Sequence, residues 1–439
     1  MTRSISRRAL IGGASAALAL PYALRAQTAA FDFDVAIVGA GSAGIAAARK
    51  LQKIGRTFVI LESRDRVGGR TFTDTSLGAP FDAGAYYIHW AERNPWREIA
   101  EDLRVPVIDS STLNTGSRFF DNGAATERGG RRGGFQNVMR LFDTDEGDVP
   151  DVSFVERIAG LGDGAGGASA IARMALGEEP ENVSALDYAR LWSGDDLIVP
   201  SGYGALVTRY ADGLDVKLST PVTAIDTSGA GVLLDTPKGR IRARAAIVTI
   251  PVGVLKAGGV RFTPALPEAT QAGLDGLGMG ALTKIGLKFD GNRFGLKPGT
   301  DLWERLGPRA SINFECWGFD RDIVIAYFGG DHARDIVGHG ERDAIALVFE
   351  EFVKLVGEDA RKSFQRGVMH GWSADPHSLG CYSHALPGHA DARAKLAQPV
   401  AERLFFAGEA TGGEGFGGAM TAGGAALAGR EAARAAART

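Results

Sequence analysis

The stretch FDVAIVGAGSAGIAAARKLQKIGRTFVILESRDRVGGRT, residues 33–71, decides how the chain folds. Residues 33–38 are a short run, apolar apart from Asp34, that leads into a glycine, the pattern of a strand buried on both faces of a parallel sheet. Gly39-Ala40-Gly41-Ser42-Ala43-Gly44 then turns into a helix whose apolar positions recur at Ile45, Ala48, Leu51 and Ile54. The three glycines meet separate physical needs. Gly39 makes the tight turn, Gly41 lets backbone approach a pyrophosphate, and Gly44 lets helix and strand pack closely. Ser42 opens the helix, whose free N–H groups and positive dipole end suit phosphate. A second strand, 57–61, ends at Glu62, where a carboxylate meets ribose hydroxyls. Strand, glycine turn, helix, strand and acid follow in the order that binds a dinucleotide.

The chain has 439 residues, and 61 of them are glycine, about double the usual ~7%, so many turns or close backbone approaches are required. At its start, MTRSISRRALIGGASAALAL places Arg7-Arg8 before an uncharged run over 9–20, with small residues at Ala23, Ala26, Ala29 and Ala30. This is the anatomy of a signal peptide, and the S-R-R-x-L-I order fits a twin-arginine signal over residues 1–30. It predicts export, to a periplasm or its equivalent, of a protein folded around a cofactor beforehand. The run is shorter than the roughly 17–25 residues of a spanning helix, and no integral membrane segment is expected once the signal is removed. Losing residues 1–26 removes four arginines and no acid, taking the formal charge from −3 to −7; a mildly acidic surface gives no reason to expect nucleic acid. The basic ERGGRRGG (127–134), beside the acidic DTDEGD (143–148), reads as a solvated loop.

Further strand candidates lie at 216–218, 246–250, 283–289, 323–328 and 404–407, whereas 93–193 reads as helical or loop-like, punctuated by ERGGRRGG and GLGDGAGGASA. The fold class is α/β, a Rossmann-like dinucleotide domain with a second domain of mixed sheet and helices.

Five stretches together resemble the flavin-containing amine oxidase family, which includes monoamine and polyamine oxidases, L-amino acid oxidases and lysine-specific histone demethylases. They are 33–73 with its Arg64-x-Arg66-x-Gly68-Gly69-Arg70-Thr71; FDAGAYYIHW (81–90); VTIPVGVLK (248–256) with GMGALTKIGLKFD (278–290); GWSADPHSLGCYSHALPG (371–388); and RLFFAGEATGGEGFGGAMTAGGAALAGREAA (403–433). The resemblance implies FAD rather than NAD, held by a domain assembled from 31–92, 194–259 and 399–439 and interleaved with a substrate-binding domain from 93–193 and 260–398. It implies a small-molecule amine as substrate and oxygen or another electron acceptor as second partner, and it leaves a homodimer open.

For the cofactor, the resemblance adds Ser63, Arg64, Gly69, Arg70, Gly84, Ala85, Tyr86 and Val222 to the glycine turn and Glu62. It gives Glu409 the ribityl and phosphate region, and it aims the N-terminus of a helix near Ala419 and Met420 at the isoalloxazine. Cys381 stands where monoamine oxidases tether the flavin 8α-methyl; a tether, a free buried thiol and a bond to Cys316 all stay open. For the chemistry, Lys284 interrupts the alternating apolar run 282–289. Lysine is rarely buried without a partner, and the family's lysine in the pattern G-x-L-x-K holds a water at flavin N5. Lys288 reads as solvent-facing. Tyr382 matches one wall of the family's aromatic cage, with Gly415 or Phe416 at the opposing position, and Trp372 lies nearby. His89 resembles the polyamine oxidase histidine of G-A-x-W-I-H. His377, His384 and His389 follow no metal-ligand spacing, and no metal is expected.

The expected reaction is oxidation of a primary or secondary amine to an imine by hydride transfer to flavin N5, then hydrolysis and flavin reoxidation, giving H2O2 if oxygen accepts. The alternatives are an L-amino acid oxidase, a desaturase of the carotenoid or protoporphyrinogen type, and a non-catalytic flavin-binding protein.

Overall fold

The computed structural model describes residues 31–126, 149–413 and 415–439. Residues 1–30, where an export signal is expected, and the ERGGRRGG and DTDEGD stretches lie outside the described residues.

The Phe33–Val38 strand sits between Phe58–Leu61 and Gly239–Val248, parallel to both, with Val35 opposite Phe58 on one side and Ala245 on the other. Val216–Lys217 extends this sheet beyond Phe58–Leu61, and Leu404–Phe406 joins it through residues 246–248. The Gly239–Val248 strand serves two neighbourhoods. Its first half pairs antiparallel with Val232–Thr236, and its buried second half runs in the parallel core. The sheet continues through Ala224–Asp226 to Arg261–Thr263, past residue 259.

Two helices, Ser42–Lys53 and Ala422–Ala436, cover one face of this sheet. Ala47, Ala48 and Leu51 from the first and Ala428, Ala432 and Ala433 from the second pack on Val35, Ile37 and Ile60. Small residues bring these helices together: a Cβ on Gly429 would stand 2.1 Å from the Ala43 carbonyl oxygen. The first helix ends at Lys53, and Ile54, expected on its apolar stripe, is 39% exposed. The second begins at Ala422, capped by the Thr421 side chain accepting from Gly424 N, so Ala419 and Met420 lie in the turn before it.

A second sheet of seven strands runs in the order Phe364–Met369, Leu282–Phe289, Ile323–Gly329, Ser311–Cys316, Thr300–Arg305, Gly116–Asp121, Ala124–Thr126. One face buries Leu287, Phe289, Leu302, Phe314 and Phe328 with Val348 and Phe352 of the Glu341–Val356 helix. The other face is polar and turns inward. The Leu282–Phe289 strand is interior to the sheet, and Lys288 is half-buried, 3.6 Å from Asp322. The loop-like reading of 93–193 is corrected here: Gly116–Asp121 is a strand because it pairs in parallel with Thr300–Arg305, a partner nearly 200 residues away that its own composition does not announce. In GLGDGAGGASA, Gly166 and Gly167 lie inside the Ala165–Leu176 helix rather than breaking it. No helix among the described residues is long and apolar enough to cross a membrane.

Candidate functional site

A cavity of about 1110 Å³ lies where the carboxyl ends of the first sheet's parallel strands meet the polar face of the second. At the first sheet, Gly39 takes φ +106°, and a Cβ there would fall 2.4 Å from Thr249 Oγ1. A Cβ on Gly44 would lie 1.9 Å from the Gly39 carbonyl oxygen, so Gly44 serves helix–strand packing and does not line the cavity. Gly41 precedes the helix with no side-chain cap, leaving first-turn N–H groups free toward the cavity. Gly69 faces it, its own Cβ position 3.3 Å from Gly41 Cα. Ser42 Oγ donates to Ala422 O at 2.5 Å and accepts from Trp96 Nε1 at 3.0 Å, so the two helix N-termini converge on one place.

Glu62, 5% exposed, is fixed at the end of its strand: Ala40 N donates to Oε2 at 2.7 Å and Arg64 N to Oε1 at 2.8 Å. Arg64 Nη1 pairs with Asp375 at 2.7 Å. Arg70 Nη1 donates to Cys381 O at 2.7 Å and to Glu409 Oε1 at 3.1 Å, while Ser383 N and Oγ donate to Glu409 Oε2. Ser63, Val222, Ala419 and Met420 also line the cavity, as do Gly84, Ala85 and Tyr86, the last with its ring centroid 5.1 Å from Lys284 Nζ.

Toward the second sheet, Lys284 is 4% exposed and its Nζ donates to Asp82 O at 3.0 Å and Gly84 O at 2.6 Å. Burial pushes its ammonium down to about 8, against the opposing pull of Asp82 and Glu315. Tyr382 lines the cavity and donates to Ala175 O at 2.9 Å. Trp372 also lines it but is packed with Leu77, Phe81 and Ala83, its Nε1 donating to Ala83 O at 2.9 Å. His89 Nδ1 lies 3.0 Å from Asp196 Oδ1. Phe416, one candidate for the opposing aromatic wall, is not among the cavity-lining residues; Trp192 is, seated against Gly417 and Gly418.

The flavin containing amine oxidoreductase family model matches residues 42–166 and 170–437. The chain belongs to this family. It is similar to polyamine oxidase 2 of Arabidopsis thaliana, 30% identical over 431 residues, spanning 86% of this chain and 83% of the relative. It is likewise similar to polyamine oxidase 4 of Oryza sativa subsp. japonica, 28% identical across 86% of this chain and 83% of that one. Its fold matches that of cyclohexylamine oxidase from Brevibacterium oxydans with a TM-score of 0.78, 21% identity and coverage of 93% and 99%.

This amine oxidoreductase therefore carries FAD, and the cradle fits it. The uncapped helix start at Gly41, the bare backbone of Gly41 and Gly69, and the immobilised Glu62 are what a pyrophosphate and a ribose need. Both cysteines of the amine oxidoreductase are free, so the Cys316–Cys381 bond is excluded; Cys316 is buried in the second sheet. Burial pushes the Cys381 thiol up to about 12, and Gly177 packs directly on its Sγ. Among the described residues no group of three or more His, Cys, Asp or Glu is placed to hold a metal ion.

Several lining residues escaped the sequence reading: Tyr87, Tyr188, Trp192, Asp196, Asp301, Asn313, Glu315 and Tyr327. Asp301 and Glu315 stand opposite each other on paired strands. Asp301 accepts from Asn114 Nδ2, and burial together with the Glu315 charge pushes its carboxyl up to about 7. Asn313 Oδ1 is buried with no partner. An acid in the alternating run SINFEC gave the same signal as Lys284 in LTKIGLKF, but only the register shows that both point into one cavity.

Proposed function

We propose that the enzyme oxidises amines bearing a second cationic group, of the diamine and polyamine kind, taking a hydride from the carbon beside one nitrogen and releasing an imine that water hydrolyses. Bound FAD supplies the hydride acceptor; the chain supplies orientation, a dry site and proton handling. The observation that carries this reading is the pair of acceptors, Asp301 carboxyl and unpartnered Asn313 Oδ1, on the cavity face that also holds Lys284. A second ammonium completes both.

The His89–Asp196 pair takes a proton from the substrate ammonium, because only a neutral amine has the lone pair that drives loss of hydride. Tyr382 and Trp192 give the reacting nitrogen an aromatic surround that excludes water. Lys284 donates twice to backbone carbonyls, and its third N–H orients a water beside the reacting centre. Oxygen or another electron acceptor is the second substrate and takes up the two electrons that the amine gives.

An L-amino acid oxidase would aim a cation at a carboxylate. Among the described lining residues the Lys and Arg side chains are Arg64, Arg70 and Lys284, each already engaged by Asp375, Glu409 or backbone carbonyls. A peroxide-coupled screen of monoamines, diamines, polyamines and amino acids on purified yellow protein tests the reading: diamines or polyamines should give the highest kcat/KM, and a preference for amino acids would refute it. Export through the twin-arginine signal belongs to the same proposal, and a reporter fused behind residues 1–30 tests it by losing export when Arg7-Arg8 is replaced by Lys-Lys.

A further inference from the structure

Two tyrosine rings flank the Lys284 ammonium: Nζ lies 5.1 Å from the Tyr86 ring centroid and 5.2 Å from that of Tyr327. Their hydroxyls converge on one carboxyl. Tyr86 Oη donates to Glu315 Oε1 at 3.1 Å and Tyr327 Oη donates to Glu315 Oε2 at 3.0 Å. The three side chains come from unrelated parts of the chain. Tyr327 stands directly opposite Lys284 on the neighbouring strand, Glu315 lies on the next strand over, and Tyr86 arrives from the segment before the Tyr87–Ile88 strand. Both rings are buried, so their hydroxyls need an acceptor, and each Glu315 oxygen provides one. Lys284 has two of its three N–H bonds committed to Asp82 O and Gly84 O. With a ring on each flank, the remaining N–H is the one left for the cavity, which Lys284 and both tyrosines line.

We infer that Glu315 is a positioning residue for amine oxidation: by holding Tyr86 and Tyr327 as a clamp, it fixes the direction in which Lys284 presents its free N–H. The inference rests on the role given to Lys284 above. Glu315 itself need not meet the substrate, since both its oxygens already accept from tyrosine. Its charged neighbours are Lys284, Arg321 and Asp301, with Asp82 close to Lys284, so its replacement also alters the local field. The test therefore has to separate position from charge.

Glu315→Gln keeps the shape but offers one acceptor oxygen, so one tyrosine hydroxyl loses the acceptor for its proton and faces an amide NH2 donor instead. On the purified, FAD-loaded protein it should lower kcat for a monoamine about ten- to a hundredfold, as a misplaced catalytic group does, with the monoamine KM nearly unchanged; a monoamine is used because the Glu315 charge also raises the Asp301 carboxyl that a diamine would meet. Tyr86→Phe and Tyr327→Phe, which leave every charge in place, should each reproduce part of that loss and add little to it when combined with Glu315→Gln. In a Lys284→Met background, Glu315→Gln should cost nothing further. Separately, 13C-lysine NMR of the full-length protein should show the Lys284 side-chain signals, identified by their absence in Lys284→Met, shifted by the two ring currents and relaxing toward free-lysine positions in Glu315→Gln and in the Tyr→Phe variants. If Lys284→Met is damaged but Glu315→Gln costs the same factor with or without Lys284, or leaves the lysine signals unmoved, the clamp is wrong. If Lys284→Met is itself harmless, the role of Lys284 fails first. Should Glu315→Gln fail to fold, the two Tyr→Phe variants and their lysine spectra decide the matter alone.

Discussion

Arg70 and Glu409 lie 339 residues apart in the sequence and 3.1 Å apart in the fold. The second Glu409 oxygen accepts from Ser383, Ser383 Oγ and O accept from Arg393, and Arg393 closes on Asp187 through two hydrogen bonds of 2.7 and 2.9 Å. A chain of charge-assisted contacts thus runs from the cofactor cradle to the Ala185–Ala189 helix beside the cavity.

Breaking the first link should loosen FAD. Glu409→Ala removes the partner of a half-buried Arg70 and of two Ser383 donors. A lost charged hydrogen bond of about 2 kcal/mol corresponds to roughly 30-fold weaker binding. Flavin absorbance per protein after gel filtration measures it, and full retention of flavin would count against the cradle as drawn.

Breaking the last link should cost stability. Burial pushes the Asp187 carboxyl up, but the Arg393 guanidinium and its hydrogen bonds win and hold it below the ordinary value. Asp187→Ala strands a fully buried Arg393 and should cost about 3–5 kcal/mol in urea unfolding. Because the folded carboxyl titrates lower than the unfolded one, this contribution is complete above an unfolded value of ~3.9 and is lost as pH falls through the folded one.

Asp301 should tell a dication from a monoamine. Its carboxyl, pushed up to about 7, is neutral below that pH and anionic above it. KM for a diamine should therefore fall as pH rises through about 7, while a monoamine's should not follow it. Asp301→Asn should abolish the difference, raising diamine KM about tenfold. Equal pH profiles for both substrates would remove Asp301 from recognition.

Cys381 should remain unattached. Its thiol is packed against Gly177 and shifted away from the thiolate form. Intact mass after acid denaturation should equal the polypeptide alone, and Cys381→Ser should keep its yellow colour. A flavin-sized mass increment lost in that variant would establish the tether instead.

Sequence revealed the elements whose own residues suffice to define them. Residues 35–38 and Leu404–Phe406 are apolar because both faces of the sheet are covered, and the glycine turn is dictated by the positive φ of Gly39 and by backbone crowding at Gly44. Gly116–Asp121 was hidden because its side chains are half-exposed and its hydrogen-bond partner is remote. The Val232–Thr236 and Gly239–Val248 hairpin was read only at its buried end, since Arg240, Arg242 and Arg244 face solvent along the rest. At the site, Lys284 was legible as a charge inside an apolar strand. Its clamp was not, because Tyr86, Glu315 and Tyr327 meet only through the register of separate strands.

The most direct test is anaerobic mixing of the yellow protein with a diamine while following the visible absorbance of the bound flavin. Bleaching on the time scale of turnover, reversed on admitting oxygen, is the result this account predicts. A flavin that stays oxidised with every monoamine, diamine and polyamine tried would contradict it.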